Sequence, residues 1–542
     1  MRLTPPRRIN LSDERGFTVL LALLTLVVAM MLIGAAYVAV TNDTGLSRND
    51  LDQKRAYAAA QAGISHYIYQ LNQNPNYWTL CAGYPTPATG TVGATDAGSA
   101  ETYSYQPLAA TTAPTGDQHC DTANAVGTMV EGGSSSAPGT FRISSTGTSS
   151  NVSRTIVAQF KQPSFLNYVY YTDYETLDPA ALYNPSNPYL PGHTSEPTDC
   201  AQHYPNRGSD CGGGIEFVSA DKINGPLHSE DTLEICDSPT FGRPGGNDAL
   251  ETPGLSPEAD GCQNNPTINN VSRSNNPHAP PLTPPATNLQ ILNIAQSGGY
   301  VYTGRTTIVL NRSMMTVTSP GTTNSTSHPT GSNVPWPSNG VIYVSTPTSP
   351  SCGVAYTPFT ANAAYTGDTN CGNAYVSGTY SQALTIATDN DIIINGNILE
   401  NGVTPPATPT GGAELGLVAN DFVRIYHPIT GTNPGASGGP CSATNATGSL
   451  SGPDVYAAIL AVKHSFIVDN YNCGAPLGTL TVWGAIAQLF RGPVGISGNA
   501  DGYAKNYSYD DRLATTEPPY FLSPASTAWY VSSETECNGS SC

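Results

Sequence analysis

The residues best equipped for chemistry are scattered acids and two histidines. Glu230, Asp231, Glu234 and Asp237 gather around His228. Carboxylates a few ångströms apart serve acid–base hydrolysis, and several together can hold Ca²⁺. This spacing lacks a calcium-loop pattern and reads as a solvated loop. Asp389 and Asp391 flank an apolar segment as turn caps, and Asp510 and Asp511 beside Arg512 read as a surface ion pair. His464-Ser465 sets a base next to a hydroxyl, yet strand neighbours point to opposite faces and no acidic orienter stands out. Gly212-Gly213-Gly214, Gly411-Gly412 and Gly438-Gly439 open no predicted helix, so they are turns and not phosphate cradles. No catalytic residue, metal or cofactor is assigned. Tyr168, Tyr170, Tyr171 and Tyr174 near Phe165 fit either an aromatic platform for a glycan or protein partner, or core packing, the commoner use.

Twelve cysteines remain: Cys81, Cys120, Cys200, Cys211, Cys236, Cys262, Cys352, Cys371, Cys441, Cys473, Cys537 and Cys542. All follow residue 80, their number is even, and no Cys-x-x-Cys occurs, which points to disulfides in an oxidising compartment and away from zinc or thioredoxin-like chemistry. Cys537 is expected to pair with Cys542, and the others mostly with sequence neighbours, as in Cys200 with Cys211 and Cys352 with Cys371.

The elements that carry these residues begin with an anchor. Phe17 to Val40 is 24 residues without a charge, about 36 Å as a helix against a bilayer core of about 30 Å. Arg2, Arg7, Arg8 and Arg15 precede it with only Asp13 and Glu14 opposing, so residues 1–16 are expected in the cytoplasm and the remainder outside. The run is too long for the apolar region of a cleaved secretory signal. The chain has 542 residues, 54 Gly, 45 Pro, only 11% charged residues and a net charge of −19. That composition suits an exported strand-and-turn protein, and the negative charge disfavours nucleic acid as a partner.

The stretch Glu14-Arg15-Gly16-Phe17-Thr18-Val19-Leu20-Leu21 resembles a type IV prepilin signal. The resemblance implies a prepilin peptidase cutting between Gly16 and Phe17. Asp50-Leu51-Asp52-Gln53-Lys54-Arg55-Ala56-Tyr57 and the alanine-rich residues after it resemble the PilX N-terminal family of minor pilins. Tyr57, Ala60, Ile64, Tyr67, Ile68 and Leu71 recur at helical spacing and form one docking face. Leu21 stands where the family carries Glu, so a bulk filament subunit is not implied. The partners implied are the peptidase, other pilins, the assembly machinery and the membrane, with a glycan or other surface ligand open.

Residues 17–72 are thus a membrane or filament-core helix with an amphipathic extension, and 73–163 a pilin-like β domain with a hairpin around 145–151. Residues 164–530 carry short strands between polar insertions. Ile223-Asn224-Gly225-Pro226-Leu227, Ile394-Asn395-Gly396-Asn397-Ile398 and Val482-Trp483-Gly484-Ala485-Ile486 share an apolar-x-Gly-x-apolar pattern, in which Gly kinks the chain between two short strands. Stacked parallel β-helix coils explain this, with a β-sandwich as the alternative. Ile394, Ile398, Val423, Ile425, Val468, Val482 and Ile486 are expected inside. Residues 389–512 also resemble, more loosely, solenoid-type C-terminal domains of surface proteins. Residues 531–542 read as a disulfide-closed tail. The fold class is mainly β with a long N-terminal helix. The function implied is a minor type IV pilin or pseudopilin, a low-copy tip or priming subunit serving pilus assembly and surface adhesion. It would be a single-pass cytoplasmic-membrane protein, at the cell surface or in the pilus once processed. A membrane-anchored β-helical carbohydrate-active enzyme and a static single-pass surface protein are the alternatives.

Overall fold

One helix, α1 (Arg15–Gln73), spans 59 residues, about 88 Å at 1.5 Å per residue. It contains no proline, and it stops before Asn74-Pro75, where a proline restricts the preceding residue. The computed structural model describes residues 15–537 except 75–76, 85, 94–99, 111–139, 163, 185–186, 189–199, 208–210, 212–214, 247, 258–261, 270–280, 354–355, 360–366, 434–440, 497–500, 515 and 526–528. The chain divides into one unit of residues 1–130, 140–161 and 531–542, and a second of 131–139 and 162–530.

In the first unit α1 packs on an antiparallel sheet of β1 (Ala88–Val92), β2 (Glu101–Pro107), β3 (Phe141–Ser149), β4 (Val152–Lys161) and the final strand Tyr530–Glu536, in that order. β3 and β4 form the expected hairpin, with Phe141 opposite Phe160 and Ser149 opposite Val152. β3 alternates buried and half-buried residues along its whole length, as a strand with one face on a helix must. The segment set apart as a C-terminal tail therefore supplies the fifth strand. Gln61 Nε2 on α1 donates to Glu534 Oε2 at 2.6 Å, and the Cys537 N–H donates to Thr155 O at 2.9 Å. The second unit is thus inserted between two neighbouring strands of the first.

The second unit is a coiled stack of parallel strands. One ladder brings Ile342, Ile386, Leu417, Ile459, Ile486, Tyr170, Leu227 and Leu250 into a single column. A second aligns Ile308, Val376, Ile394, Ile425 and Val468, and a third aligns Ile398, Val455, Val482, Tyr507 and Ile223. All these side chains are buried. The seven residues expected inside are there, on parallel ladders and not on two facing antiparallel sheets. An antiparallel excursion, Thr306–Arg312 with Met314–Thr318 and Gly331–Pro335, departs from the parallel pattern, as do the two-residue pairs Tyr183–Asn184 with Asn187–Pro188 and Ile429–Thr430 with Thr444–Asn445.

The three Gly-centred segments are not equivalent. Ile223-Gly225-Leu227 and Val482-Gly484-Ile486 turn from the third ladder to the first, whereas Ile394-Gly396-Ile398 turns from the second to the third. Gly484 has φ +149°, and a Cβ there would lie 2.0 Å from the Ala457 carbonyl oxygen; at Gly396 the nearest obstacle is Ser377 Cβ at 2.9 Å.

The chain enters this stack in its middle. Tyr170–Leu177 pairs with Leu227–Ser229 on one side and Thr479–Arg491 on the other, while Lys222–Asn224 pairs with Ala504–Tyr509. The coil where the chain enters and the coil where it leaves are therefore hydrogen-bonded neighbours, as suits an insertion. Two ion pairs buried in the core mark this seam: Arg491–Glu175 at 2.8 Å and Lys505–Asp221 at 2.6 Å. The Arg491 guanidinium also donates to Ile215 O and Glu216 O and lies 3.6 Å over the Phe217 ring.

Two outcomes follow for unfolding of the full chain in detergent. Arg491→Met should cost about 3–5 kcal/mol by leaving Glu175 buried and unpaired, and adding Glu175→Met should recover most of the loss. Gly484→Val should cost about 3 kcal/mol, more than Gly396→Val, because only the former meets backbone in a left-handed conformation. Denaturant titration of the four variants measures both.

Candidate functional site

The outer part of α1 is the feature most in need of a partner. Thr18–Val38 is a 21-residue stretch of mean hydropathy 2.8, none of it buried inside the protein. Leu20, Met31 and Tyr37 are 65%, 71% and 70% exposed, and Leu21 is exposed too. Gly16 and Phe17 fall in the first turn of the helix, while residues 1–14 and these two side chains lie outside the described residues. At about 32 Å the stretch matches a bilayer core, and it equally suits the middle of a helical bundle.

The inner part of the same helix is built for close contact with a sheet. Ala56, Ala59, Ala60, Ile64, Tyr67 and Leu71 are buried, and Ser145 Oγ donates to the Ala60 carbonyl at 2.8 Å. A Cβ at Gly147 on β3 would lie 2.1 Å from Ala56 O, and one at Gly63 on α1 would lie 2.2 Å from Ser145 Oγ. The two glycines let backbone approach backbone. Tyr57, expected on this face, is 39% exposed and Ala56 takes its place. Tyr67 anchors the lower end, with Tyr77, Tyr105, Phe141 and Phe160 at 5.2–6.1 Å between ring centres.

In the second unit the acids and His228 singled out above are tied into hydrogen bonds, ion pairs or a strand bridge. His228 is buried between Glu230 and Glu251, each 2.9 Å from one ring nitrogen. Burial lowers its pKa, but the two carboxylates outweigh burial and raise it. Asp231 accepts from the backbone N–H groups of Glu175, Tyr204 and Thr232, and Glu234 lies 3.6 Å from Arg207. Asp237 sits at an isolated bridge to Asn264. Asp389 accepts from Tyr343 Oη and the Thr346 N–H, and Asp391 from the Phe422 N–H and Arg424. Tyr170 and Tyr171 are core residues, Tyr168 donates to Glu251, and Tyr174 lies between His203 and Phe490, so the four form no common platform.

Three expectations about these groups are corrected. The cluster around His228 is not a solvated loop: His228 and Asp231 are buried among short parallel strands, Glu230 and Glu234 are half-buried, and Asp237 alone of the set is exposed. His464 does have an acidic orienter: its Nδ1 is 2.9 Å from Asp178 Oδ2, across 286 residues, and the ring stacks on Phe422 at 4.4 Å. Burial lowers the His464 pKa, while Asp178 chiefly, with Asp421 and Asp391, raises it. Ser465 Oγ donates to the same Asp178 oxygen at 3.3 Å. The hydroxyl thus shares the histidine's acid, and the clamp holds Asp178 where it accepts from the Ala180 N–H. The Asp510–Arg512 pair, expected on the surface, is buried at Asp510 and extends to Glu400 at 3.1 Å. Asp511 pairs instead with Arg243.

The cysteines join sequence neighbours: Cys200–Cys211, Cys236–Cys262, Cys352–Cys371 and Cys441–Cys473. Cys81 and Cys537 are also disulfide-bonded; Cys120 and Cys542 lie outside the described residues. Among the described residues one group, Glu216 with Cys236 and Cys262, has metal-ligand spacing, but the two sulfurs are bonded to each other.

No family model matches this chain, and no curated relative does. Among solved structures, the competence-associated pilin ComZ from Thermus thermophilus is similar at 13% identity and a TM-score of 0.26, over 90% of this chain and 97% of that one. A score that low carries no argument about this chain.

Arg512 is ringed by carboxylates, and one of them sets a pH limit. Burial pushes the Glu414 carboxyl up to about 8; Arg512 opposes this, while Asp510, Glu400 and Glu517 add to it. A folded pKa above the unfolded one contributes stability that is complete below the unfolded value, near 4.5, and is lost as pH rises through about 8. Glu414→Gln should therefore melt at a higher temperature than the natural chain at pH 9 and show little gain at pH 4. A melting series across that range on both chains checks it.

Proposed function

We propose that this chain is a membrane-inserted minor pilin or pseudopilin that acts at low copy, at the tip of a filament or in a priming complex. The observation that carries the reading is one continuous helix with two environments, a wholly exposed apolar stretch at Thr18–Val38 and a sheet-packed half at Ala56–Leu71. A prepilin peptidase cuts between Gly16 and Phe17 on this reading. The apolar stretch first holds the protein in the cytoplasmic membrane, with the β units outside, and then packs among the helices of other pilins.

Leu21 supports the placement. In the resembled family a carboxylate at this position is thought to pair with a neighbour's terminal amine, which offsets the cost of a charge in an apolar bundle. Leu21 cannot form that pair and brings no carboxylate to desolvate, so it suits a position that no later subunit must complete. The inserted unit, residues 162–530 for the most part, is bulky for a densely repeated shaft. At a tip it would meet other surfaces first, which makes adhesion the natural accompanying role.

Mass spectrometry of the N-terminal peptide, with quantitative proteomics of sheared filaments, tests the proposal. The expected result is a chain beginning at Phe17, present at a small fraction of the major subunit. A chain beginning at Met1 or beyond Val40 in peptidase-positive cells would overturn the processing. Abundance equal to the major subunit would overturn tip placement. Absence from filaments with normal piliation in a deletion strain would leave a static surface protein.

A further inference from the structure

The seam of the coiled stack also holds a cavity of about 210 Å³, lined in part by Asp221, Lys505, Tyr471, Tyr503, Val494 and Ile496. Drug-sized ligands need roughly 300 Å³ or more, so any occupant is small. Its wall carries an ion pair, Lys505 Nζ to Asp221 Oδ2 at 2.6 Å. The Lys505 side chain is 10% exposed, and among the described residues one of its three donors has a protein acceptor, Asp221. Asp221 Oδ2 also accepts the Val218 N–H, so both bonds fall on one oxygen of a carboxylate that lines the cavity. Burial, ahead of the opposing Asp221 charge, lowers the Lys505 pKa, as expected for an amine short of acceptors.

Charge selects the kind of occupant. An anion would face Asp221, and a cation would face Lys505 with Arg491 behind it. A neutral molecule with both hydroxyl donors and oxygen acceptors meets neither obstacle. Tyr471, Tyr503 and the aliphatic side chains of Leu177, Ile215, Val494 and Ile496 line much of the rest, suited to the apolar edge of a ring. We propose that this cavity is a subsite for one neutral pyranose, such as the terminal sugar of a surface glycan, with Lys505 donating to a ring or hydroxyl oxygen and Asp221 accepting from a neighbouring hydroxyl. The inference does not depend on whether the helix enters a filament.

The test is saturation-transfer NMR with glucose, galactose, mannose and N-acetylglucosamine as probes, on the full chain in a detergent without a sugar headgroup. At least one sugar should bind saturably, and Lys505→Met should weaken it about tenfold or more. Because that variant leaves Asp221 buried without its partner, Ile496→Trp serves as the second. Ile496 lines the cavity and is 39% exposed, so a larger side chain there plugs the mouth without entering the core. It should abolish binding with an unchanged melting temperature. No transfer to any of the four sugars, or transfer undiminished in Ile496→Trp, would overturn the proposal and leave a cavity filled by water.

Discussion

The architecture turns on one constraint: none of the described residues covers the apolar stretch of α1 between Thr18 and Val38. Each large apolar side chain left in water forgoes roughly 1.5–3 kcal/mol, and Leu, Val, Met and Ile dominate this stretch. A soluble helix would show polar residues on one side; here charge is absent from Phe17 to Val40 all round. A bilayer or a bundle of similar helices satisfies all sides at once. The transition to the sheet-packed half is correspondingly abrupt. Within a few turns the contact surface changes from bulky aliphatic groups to Ala56, Ala59, Ala60 and Gly63, small enough to admit β3 at backbone distance.

A large insertion is tolerable in such a molecule only if it leaves the host sheet intact. β4 and the final strand are neighbours in the first unit, and the coils that begin and end the stack are neighbours in the second. The stack runs outward from its entry, restarts at its far end and returns, so it closes on itself where Glu175 meets Arg491 and Asp221 meets Lys505. Repetitive coils offer neighbouring registers with similar apolar contacts. A buried charge that finds its partner in one register alone distinguishes them, which is the best-attested use of such pairs. The four described disulfides staple loops of 11 to 32 residues, so they restrain the excursions and leave the ladders to hydrogen bonds and packing.

Much of this was legible because it depends on local pattern. The charge-free run, the alternating hairpin of β3 and β4, and the aliphatic residues that fill the stack all follow from periodicity. What escaped depends on distance along the chain. Tyr57 and Ala56 both fall near the docking face, and only the closeness of Gly147 decides for the smaller one. Nothing near His464 announces Asp178, because the coil brings together residues 286 apart. The last strand is short and polar, and its role comes from β4 beside it. The Lys505–Asp221 pair and its cavity were invisible for the same reason: the sequence shows a lone lysine in an ordinary strand. The Gly-x-apolar repeat was recognisable, but which ladders each copy joins was not.

The central claim is that one helix lives in two environments, and labelling along α1 tests it most directly. A carbene reagent dissolved in the bilayer, applied to membranes holding the full chain, should modify residues throughout 18–38 and spare 56–71. A water-soluble reagent should give the complementary result on the exposed flank around Leu51 and Tyr57. Modification of 18–38 by the aqueous reagent with none from the bilayer would contradict the account.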